Sequence, residues 1–309
     1  MNFGILTELI EKSEFITIFR HEHPDCDACG SQFGLREWIR DNWPDKKVYA
    51  IGKETCSQGR FPVLDEVSDE VIASSLAIVC DTADTKRIDD QRALSASMIV
   101  KIDHHPDLDA YGNVRLVNPH AAAVCEILAG YFRSENKIVS VTTAEYLYQG
   151  ILTDTLSFST SNTTSETLEA ASYLASYGVH IPEINRQLFD RSIDEFRFAG
   201  YVTSHVTMAD EHTAYVKLSM RELEEWNMSA GDARTYVSEL GHVRDFEIWC
   251  IFTETQPGVY AASCRSKTAA INTIAQEFGG GGHKNAAGIK GLSEESLHLL
   301  IEKLIQSRL

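Results

Sequence analysis

Three short apolar runs in the first half of the chain each end on residues that a hydrophobic core rejects. FITIFR (15–20) delivers His21, Asp25 and Asp27, SLAIVC (75–80) stops at Asp81, and MIVKI (98–102) stops at Asp103-His104-His105. Brief, continuous apolar runs read as strands covered on both faces, the habit of parallel sheets. In open parallel sheets, ligands bind beyond the carboxyl ends of the strands. The repetition therefore predicts an α/β fold in which these seven polar residues gather at one edge of one sheet. On a continuing strand Asp103 and His105 would share one side and His104 the other. At a strand end all three can converge.

The remaining chain supports a layered α/β architecture in two parts, as 309 residues suggest. Helical spacing marks 3–12 and the stretch around Phe33, Leu35, Trp38 and Ile39, and VYAIG (48–52) reads as a further strand. From residue 121 the texture turns helical, and TTAEYLYQGILTD runs into Asp154. A helical connector is expected over 181–210. A second alternation follows: strands at 213–219, 246–252 and 259–265, helices near 231–240 and 267–278, and a last helix from about 293. The expected domains are 1–194, catalytic and metal-binding, with a parallel sheet flanked by helices, and a smaller α/β domain, 195–309, that binds substrate. The active site is expected in the cleft between them.

Charge narrows the functions. A net charge of −17 argues against a general grip on long DNA or RNA. Seven cysteines, an odd number with a single CxxC pair (Cys26, Cys29), fit reduced thiols better than a disulfide framework or a zinc site. The N-terminus lacks a signal-peptide pattern and no apolar run reaches membrane-spanning length, so a cytoplasmic protein without membrane association is expected.

Carboxylates and imidazoles in this mixture suit Mn²⁺, Mg²⁺, Fe²⁺ or Co²⁺. Two ions sharing one carboxylate use so many ligands more economically than one, and such a pair can clamp the attacking and leaving oxygens of a phosphoryl transfer. Near the C-terminus, Gly279-Gly280-Gly281-Gly282-His283 would let backbone N–H groups approach a phosphate, and Arg265 would hold an oxyanion with two donors. Taken alone, the glycine run and the arginine read more readily as a flexible turn with a surface side chain.

The order of HxxxDxD (His21, Asp25, Asp27), a lone Asp81 after a strand, DHH (103–105), the helical Asp154, Arg265-Ser266 and GGGGH (279–283) resembles the DHH phosphoesterase family. More narrowly, it is similar to the DHH–DHHA1 oligoribonucleases that also act as 3′-phosphoadenosine-5′-phosphate phosphatases. The resemblance implies that His21, Asp25 and Asp81 bind one metal and that Asp27, Asp81, His104 and Asp154 bind the other, with Asp81 bridging. It further implies that Asp103 orients an imidazole and that His105 contacts the scissile phosphate or assists proton transfer. Arg265, Ser266, Gly280, Gly281, Gly282 and His283 would bind substrate phosphate.

The implied cofactor is two Mn²⁺, with Mg²⁺ or Co²⁺ as substitutes. The implied reaction is hydrolysis of short RNA or linear dinucleotides to mononucleotides, and of the adenosine bisphosphate to AMP, without a covalent enzyme intermediate. A homodimer is among the expected assemblies. A cyclic dinucleotide phosphodiesterase would share every catalytic residue and differ in pocket shape. From another class, a nucleotide-binding regulatory protein remains the alternative to an enzyme, though it would have no need of the full ligand set.

Overall fold

The computed structural model describes residues 3–107 and 109–308. The chain divides into two units between Asp190 and Arg191, inside the stretch read as a helical connector.

The first unit comprises α1 (Gly4–Lys12), β1 (Phe15–Phe19), α2 (Cys26–Asn42), β2 (Lys47–Ala50), α3 (Asp69–Ser74), β3 (Leu76–Cys80), β4 (Met98–Asp103), β5 (Val114–Val117), α4 (Val124–Glu135), α5 (Val141–Asp154), α6 (Ser165–Ala175) and α7 (Ile181–Phe189). Its five strands lie in the order β2-β1-β3-β4-β5 and all pair in parallel. Every residue of β3 is buried, which is why its sequence shows no alternation. β1 lies between β2 and β3, so the sheet grows first to one side of β1 and then to the other. That reversal is a topological switch point, where the loops leaving two neighbouring strands part and open a crevice. The strand β5, VRLV, escapes the sequence reading because only Leu116 of its four residues is buried.

Helix α2 is the axis of the helical layer. Its apolar stripe buries Phe33, Trp38 and Ile39, and Trp38 stacks on Phe132 of α4 with centroids 4.3 Å apart. Against α5 it packs closely enough that a Cβ on Gly30 would lie 2.4 Å from the carbonyl oxygen of Tyr146. Glycine is needed there.

The second unit holds α8 (Ile193–Ser204), β6 (Thr207–Met208), β7 (Thr213–Leu218), α9 (Met220–Glu225), α10 (Ala230–Thr235), β8 (Ile248–Gln256), β9 (Val259–Ser266), α11 (Asn272–Glu277), β10 (Gly281–His283), β11 (Ala286–Ser293) and α12 (Glu294–Gln306). The sheet order is β10-β11-β9-β8-β7-β6, with β7 and β8 parallel and the other neighbours antiparallel. One core contains Phe198, Val202, Trp249 and Ile251. The other contains Cys250, Phe252, Leu297 and Leu300. The glycine run forms a short edge strand paired with β11, and the helix expected over 267–278 shrinks to α11. Among the described residues, no helix is long and apolar enough to cross a membrane.

Candidate metal centre

The loop after β1 carries the first cluster. The Nδ1 of His21 lies 2.7 Å from the Glu22 carbonyl oxygen, to which it donates, so Nε2 is left free. That nitrogen is 3.8 Å from Oδ2 of Asp25 and 3.4 Å from Oδ2 of Asp81. Asp25 caps α2: its Oδ1 accepts the N–H groups of Asp27 and Ala28 at 3.0 Å each, and its other oxygen remains for a ligand.

The second cluster comprises Asp27, His104 and Asp154, whose ligand atoms all lie within 4.8 Å of one another. Asp27, in the first turn of α2, is fully buried. Its carboxylate accepts N–H groups at the start of α4, from Val124 at 2.7 Å and Cys125 at 2.9 Å. Asp154 ends α5. The Nδ1 of His104 faces the carbonyl oxygen of Ala121 at 3.3 Å, and its Nε2 lies 3.6 Å from Oδ2 of Asp154.

Asp81 joins the two clusters. Its Oδ2 faces His21, while its Oδ1 lies 3.4 Å from Nε2 of His104 and 3.6 Å from Nδ1 of His105. It is 2 % exposed, and Oδ1 has no hydrogen-bond partner. Its backbone adopts φ +50°, an uncommon conformation for a non-glycine residue. A buried carboxylate oxygen that faces two imidazoles without a hydrogen bond is costly unless a cation completes it. These hard oxygens and imidazole nitrogens fit a pair of divalent ions.

Supporting residues fix this geometry. Asp103 is fully buried, and its Oδ1 accepts Nδ1–H of His105 at 2.8 Å and the His105 backbone N–H at 3.1 Å, so Nε2 is the free nitrogen of that ring. Behind Asp103, the buried Lys101 places Nζ 3.5 Å from Oδ2 and donates to the carbonyls of Ala83 and Asp109. Under the first cluster, Arg20 is fully buried. It donates to Asp89 at 2.6 Å and to the His21 carbonyl at 3.0 Å. After Asp154 and the cap residue Thr155, Leu156, Ser157 and Phe158 all have positive φ, a tight left-handed turn just beyond the end of α5. Lys101, Arg20, Asp89 and this turn escape the sequence reading. A lysine inside the apolar run MIVKI was the one visible signal.

The titration pattern shows a site short of positive charge. Burial alone would lower the pKa of His21, but Asp25 and Asp81 outweigh it and raise the value to about 10. His104 also rises to about 10, because Asp81, Asp27 and Asp154 overcome its burial. Burial, with the charge of Asp81 next, pushes Asp27 up to about 7. Burial and the neighbouring aspartates likewise raise Asp154 well above the carboxylate range. Asp81 moves the opposite way: its burial favours the neutral acid, but His104 and His21 hold it ionised. Protons thus stand where cations would, and cation binding releases them.

The remaining candidates belong to the second unit. The half-buried Arg265, next to last in β9, donates to the Cys264 carbonyl at 2.9 Å. The Ser266 hydroxyl donates to the Ala269 carbonyl at 2.6 Å and accepts from Asn285 at 3.0 Å. Gly280 and Gly282 are held by packing, since a Cβ on either would come within 2.4 Å of a carbonyl oxygen of β11, whereas Gly281 faces open space. The backbone of His283 lies in β10; its side chain is outside the described residues.

Residues 15–151 match the DHH family, N-terminal domain, and residues 210–307 match the DHHA1 domain. A probable bifunctional oligoribonuclease and PAP phosphatase NrnA from Streptococcus mutans is 35% identical over 94% of this chain and 94% of that one. Its Bacillus subtilis counterpart is 34% identical over 92% and 91%. A cyclic-di-AMP phosphodiesterase GdpP from Geobacillus thermodenitrificans is 27% identical over 91% of this chain but only 45% of its own. Among solved structures, an exopolyphosphatase-related protein from Bacteroides fragilis superposes with a TM-score of 0.85 at 26% identity, covering 97% and 95%.

Proposed function

The chain belongs to the DHH–DHHA1 family, and on that premise we propose that it hydrolyses short oligoribonucleotides and linear dinucleotides to mononucleotides, and 3′-phosphoadenosine-5′-phosphate to AMP. The observation that carries the reading is Asp81, whose two oxygens face two separate ligand clusters. Relatives similar over nearly the whole chain carry both activities in their names.

His21, Asp25 and Asp81 would hold one Mn²⁺, and Asp27, Asp81, His104 and Asp154 the other. Such ions supply charge against the phosphate and acidify water. The chain contributes the rest. Asp103 holds His105 in the tautomer with Nδ1–H, so that the free Nε2 can take up a proton and pass it to the leaving group. Lys101, with Nζ 3.5 Å from Oδ2 of Asp103, holds that carboxylate in place. Arg265 and the glycine strand β10 bind phosphate, the first through its guanidinium and the second through edge N–H groups. A cytoplasmic site of action follows from the same reading and from the odd number of cysteines.

The test is hydrolysis by Mn²⁺-loaded protein of a linear diadenylate, a five-nucleotide RNA, 3′-phosphoadenosine-5′-phosphate, cyclic di-AMP and pyrophosphate. Preference for the first three supports the reading. Preference for cyclic di-AMP or pyrophosphate, or no turnover of any of the five, defeats it.

A further inference from the structure

Three of the seven cysteines meet beside the ligand clusters, and neither the metal centre nor core packing accounts for how closely two of them approach. Sγ of Cys26, the first residue of α2, lies 3.3 Å from Sγ of Cys56. Carbon atoms in contact rest at about 3.5–4.0 Å, and sulfur is the larger atom, so the pair is tighter than packing requires. The Cys29 sulfur, one turn along α2, accepts the Cys56 N–H at 3.2 Å and fixes that residue against the helix. Cys26 and Cys29 are fully buried, whereas Cys56 is 7 % exposed. It belongs to residues 51–68, a stretch with neither helix nor strand.

Closing this pair acts on the ligands. A disulfide holds its sulfurs about 2.05 Å apart, so the two must draw together by roughly 1.2 Å. Cys26 stands between Asp25, which caps α2, and Asp27. Asp27 is held from its far side by the N–H groups of Val124 and Cys125, and α2 has no room to yield where Gly30 abuts Tyr146. Asp25 is different: its side chain is half exposed, and its hydrogen bonds run to the turn it caps. The displacement therefore falls on the stretch that carries Cys56 and on Asp25. Ligand distances at a metal hold to about 0.2 Å, so a fraction of that movement spoils the site of His21, Asp25 and Asp81.

We propose that Cys26 and Cys56 form a reversible modification site: a hydroperoxide closes them into a disulfide, and closure weakens cation binding at His21, Asp25 and Asp81. Cys56, the less enclosed thiol, attacks the hydroperoxide. The O–O bond breaks, the Cys56 sulfur keeps one oxygen as a sulfenic acid, and the other oxygen leaves as water or an alcohol. The Cys26 sulfur then displaces the sulfenic oxygen, which departs as water with the Cys26 proton. The two thiols together give up two electrons and two protons, and the hydroperoxide takes them. A small thiol reopens the bond by exchange. In a reducing compartment such bonds are transient and serve sensing. The disulfide itself does not depend on the proposed hydrolase; its effect on cations rests on the two-ion reading.

The experiment treats chelator-stripped, full-length protein with hydrogen peroxide, alkylates the remaining thiols and maps the peptides by mass spectrometry. Mn²⁺ binding is measured by calorimetry before oxidation, after it, and after dithiothreitol. The expected product is a Cys26–Cys56 peptide pair that dithiothreitol separates. Mn²⁺ affinity is expected to fall about tenfold or more on oxidation, as when the support of a ligand is disturbed, and to return on reduction. Cys56→Ser, which leaves α2 and every ligand candidate in place, keeps its Mn²⁺ affinity through the same treatment; damage by peroxide elsewhere in the chain would not spare it. If that variant fails to fold, the wild-type peptide map and the recovery on reduction decide. Oxidised protein without the bridge, Cys56 carried on to a sulfinic acid, or a bridge only between Cys250 and Cys264, which stand opposite each other on β8 and β9, overturns the inference. A Cys26–Cys56 bridge with unchanged Mn²⁺ affinity overturns its link to the ligands. A bridge in a protein whose reduced form binds no Mn²⁺ defeats the two-ion reading and keeps the disulfide.

Discussion

Replacing Gly150 with alanine tests whether the second ligand cluster depends on close helix packing. Gly150 lies in α5 against α2 and α4. A Cβ there would stand 2.4 Å from Sγ of Cys125, 2.9 Å from Oδ1 of Asp27 and 3.0 Å from Cα of Asp27. Cys125 and Asp27 are fully buried, and Asp27 is tied to two backbone N–H groups, so neither can swing aside cheaply. In an ordinary helix the substitution gains about 0.5–1 kcal/mol. Overpacking here costs about 1–3 kcal/mol, so the clash wins. The thermal midpoint is expected to fall by several degrees. Because the carboxylate that moves is a proposed ligand, Mn²⁺ affinity by calorimetry is expected to fall about 10–100-fold. Adding Cys125→Ala removes the shortest contact and restores part of the stability. A Gly150→Ala protein that melts higher than the wild type and binds Mn²⁺ unchanged refutes the reasoning.

Three further outcomes follow from the same geometry. Asp103→Asn leaves His105 without its carboxylate partner, so kcat drops by about a hundredfold or more while KM changes little; comparable losses in KM alone would show that His105 only binds. Asp89→Ala strands the buried Arg20 charge and costs about 3–5 kcal/mol in urea unfolding of the first unit, and a cost below about 1 kcal/mol contradicts the assignment. The third concerns pH. Folded-state values near 10 for His21 and His104, above their usual 6.5, give the metal-free protein stability that is complete below pH 6.5 and is lost as pH rises through 10. Asp27, raised from 3.8 to about 7, acts in the same direction, its neutral form favouring the fold at lower pH. Cations replace those protons, so the gap in melting temperature between Mn²⁺-loaded and chelator-treated protein widens from about pH 6 to about pH 9. A constant gap rules this out.

Much of the layout is legible in the sequence because the first unit buries its strands completely. β1, β3 and β4 read as unbroken apolar runs, and the first polar residue after each marks the sheet edge. Asp27 and Asp154 are harder to find, since each lies on a helix and aspartates there usually serve as caps. Asp25 does cap α2 as well as facing His21. Residues that act through distant partners leave little local trace, the lysine within MIVKI being the exception. Arg20 and Asp89 are 69 positions apart, and the burial of Lys101 depends on loop carbonyls at Ala83 and Asp109. The glycine run carries no hydrophobic period, so its place as the strand opposite Gly288 emerges only from tertiary pairing. Five of the six metal-ligand candidates stand at or just after strand ends or in a helix N-terminal turn, where chain direction fixes side-chain direction. Asp154 alone depends on where α5 stops, and the left-handed turn at 156–158 just beyond it has no glycine to announce it.

Crystals of the Mn²⁺-loaded protein, measured with anomalous scattering at the manganese edge, test the central claim most directly. The account predicts two peaks, one among His21, Asp25 and Asp81 and one among Asp27, Asp81, His104 and Asp154, with each Asp81 oxygen bound to a different ion. A single peak, or two ions of which Asp81 touches only one, would contradict it.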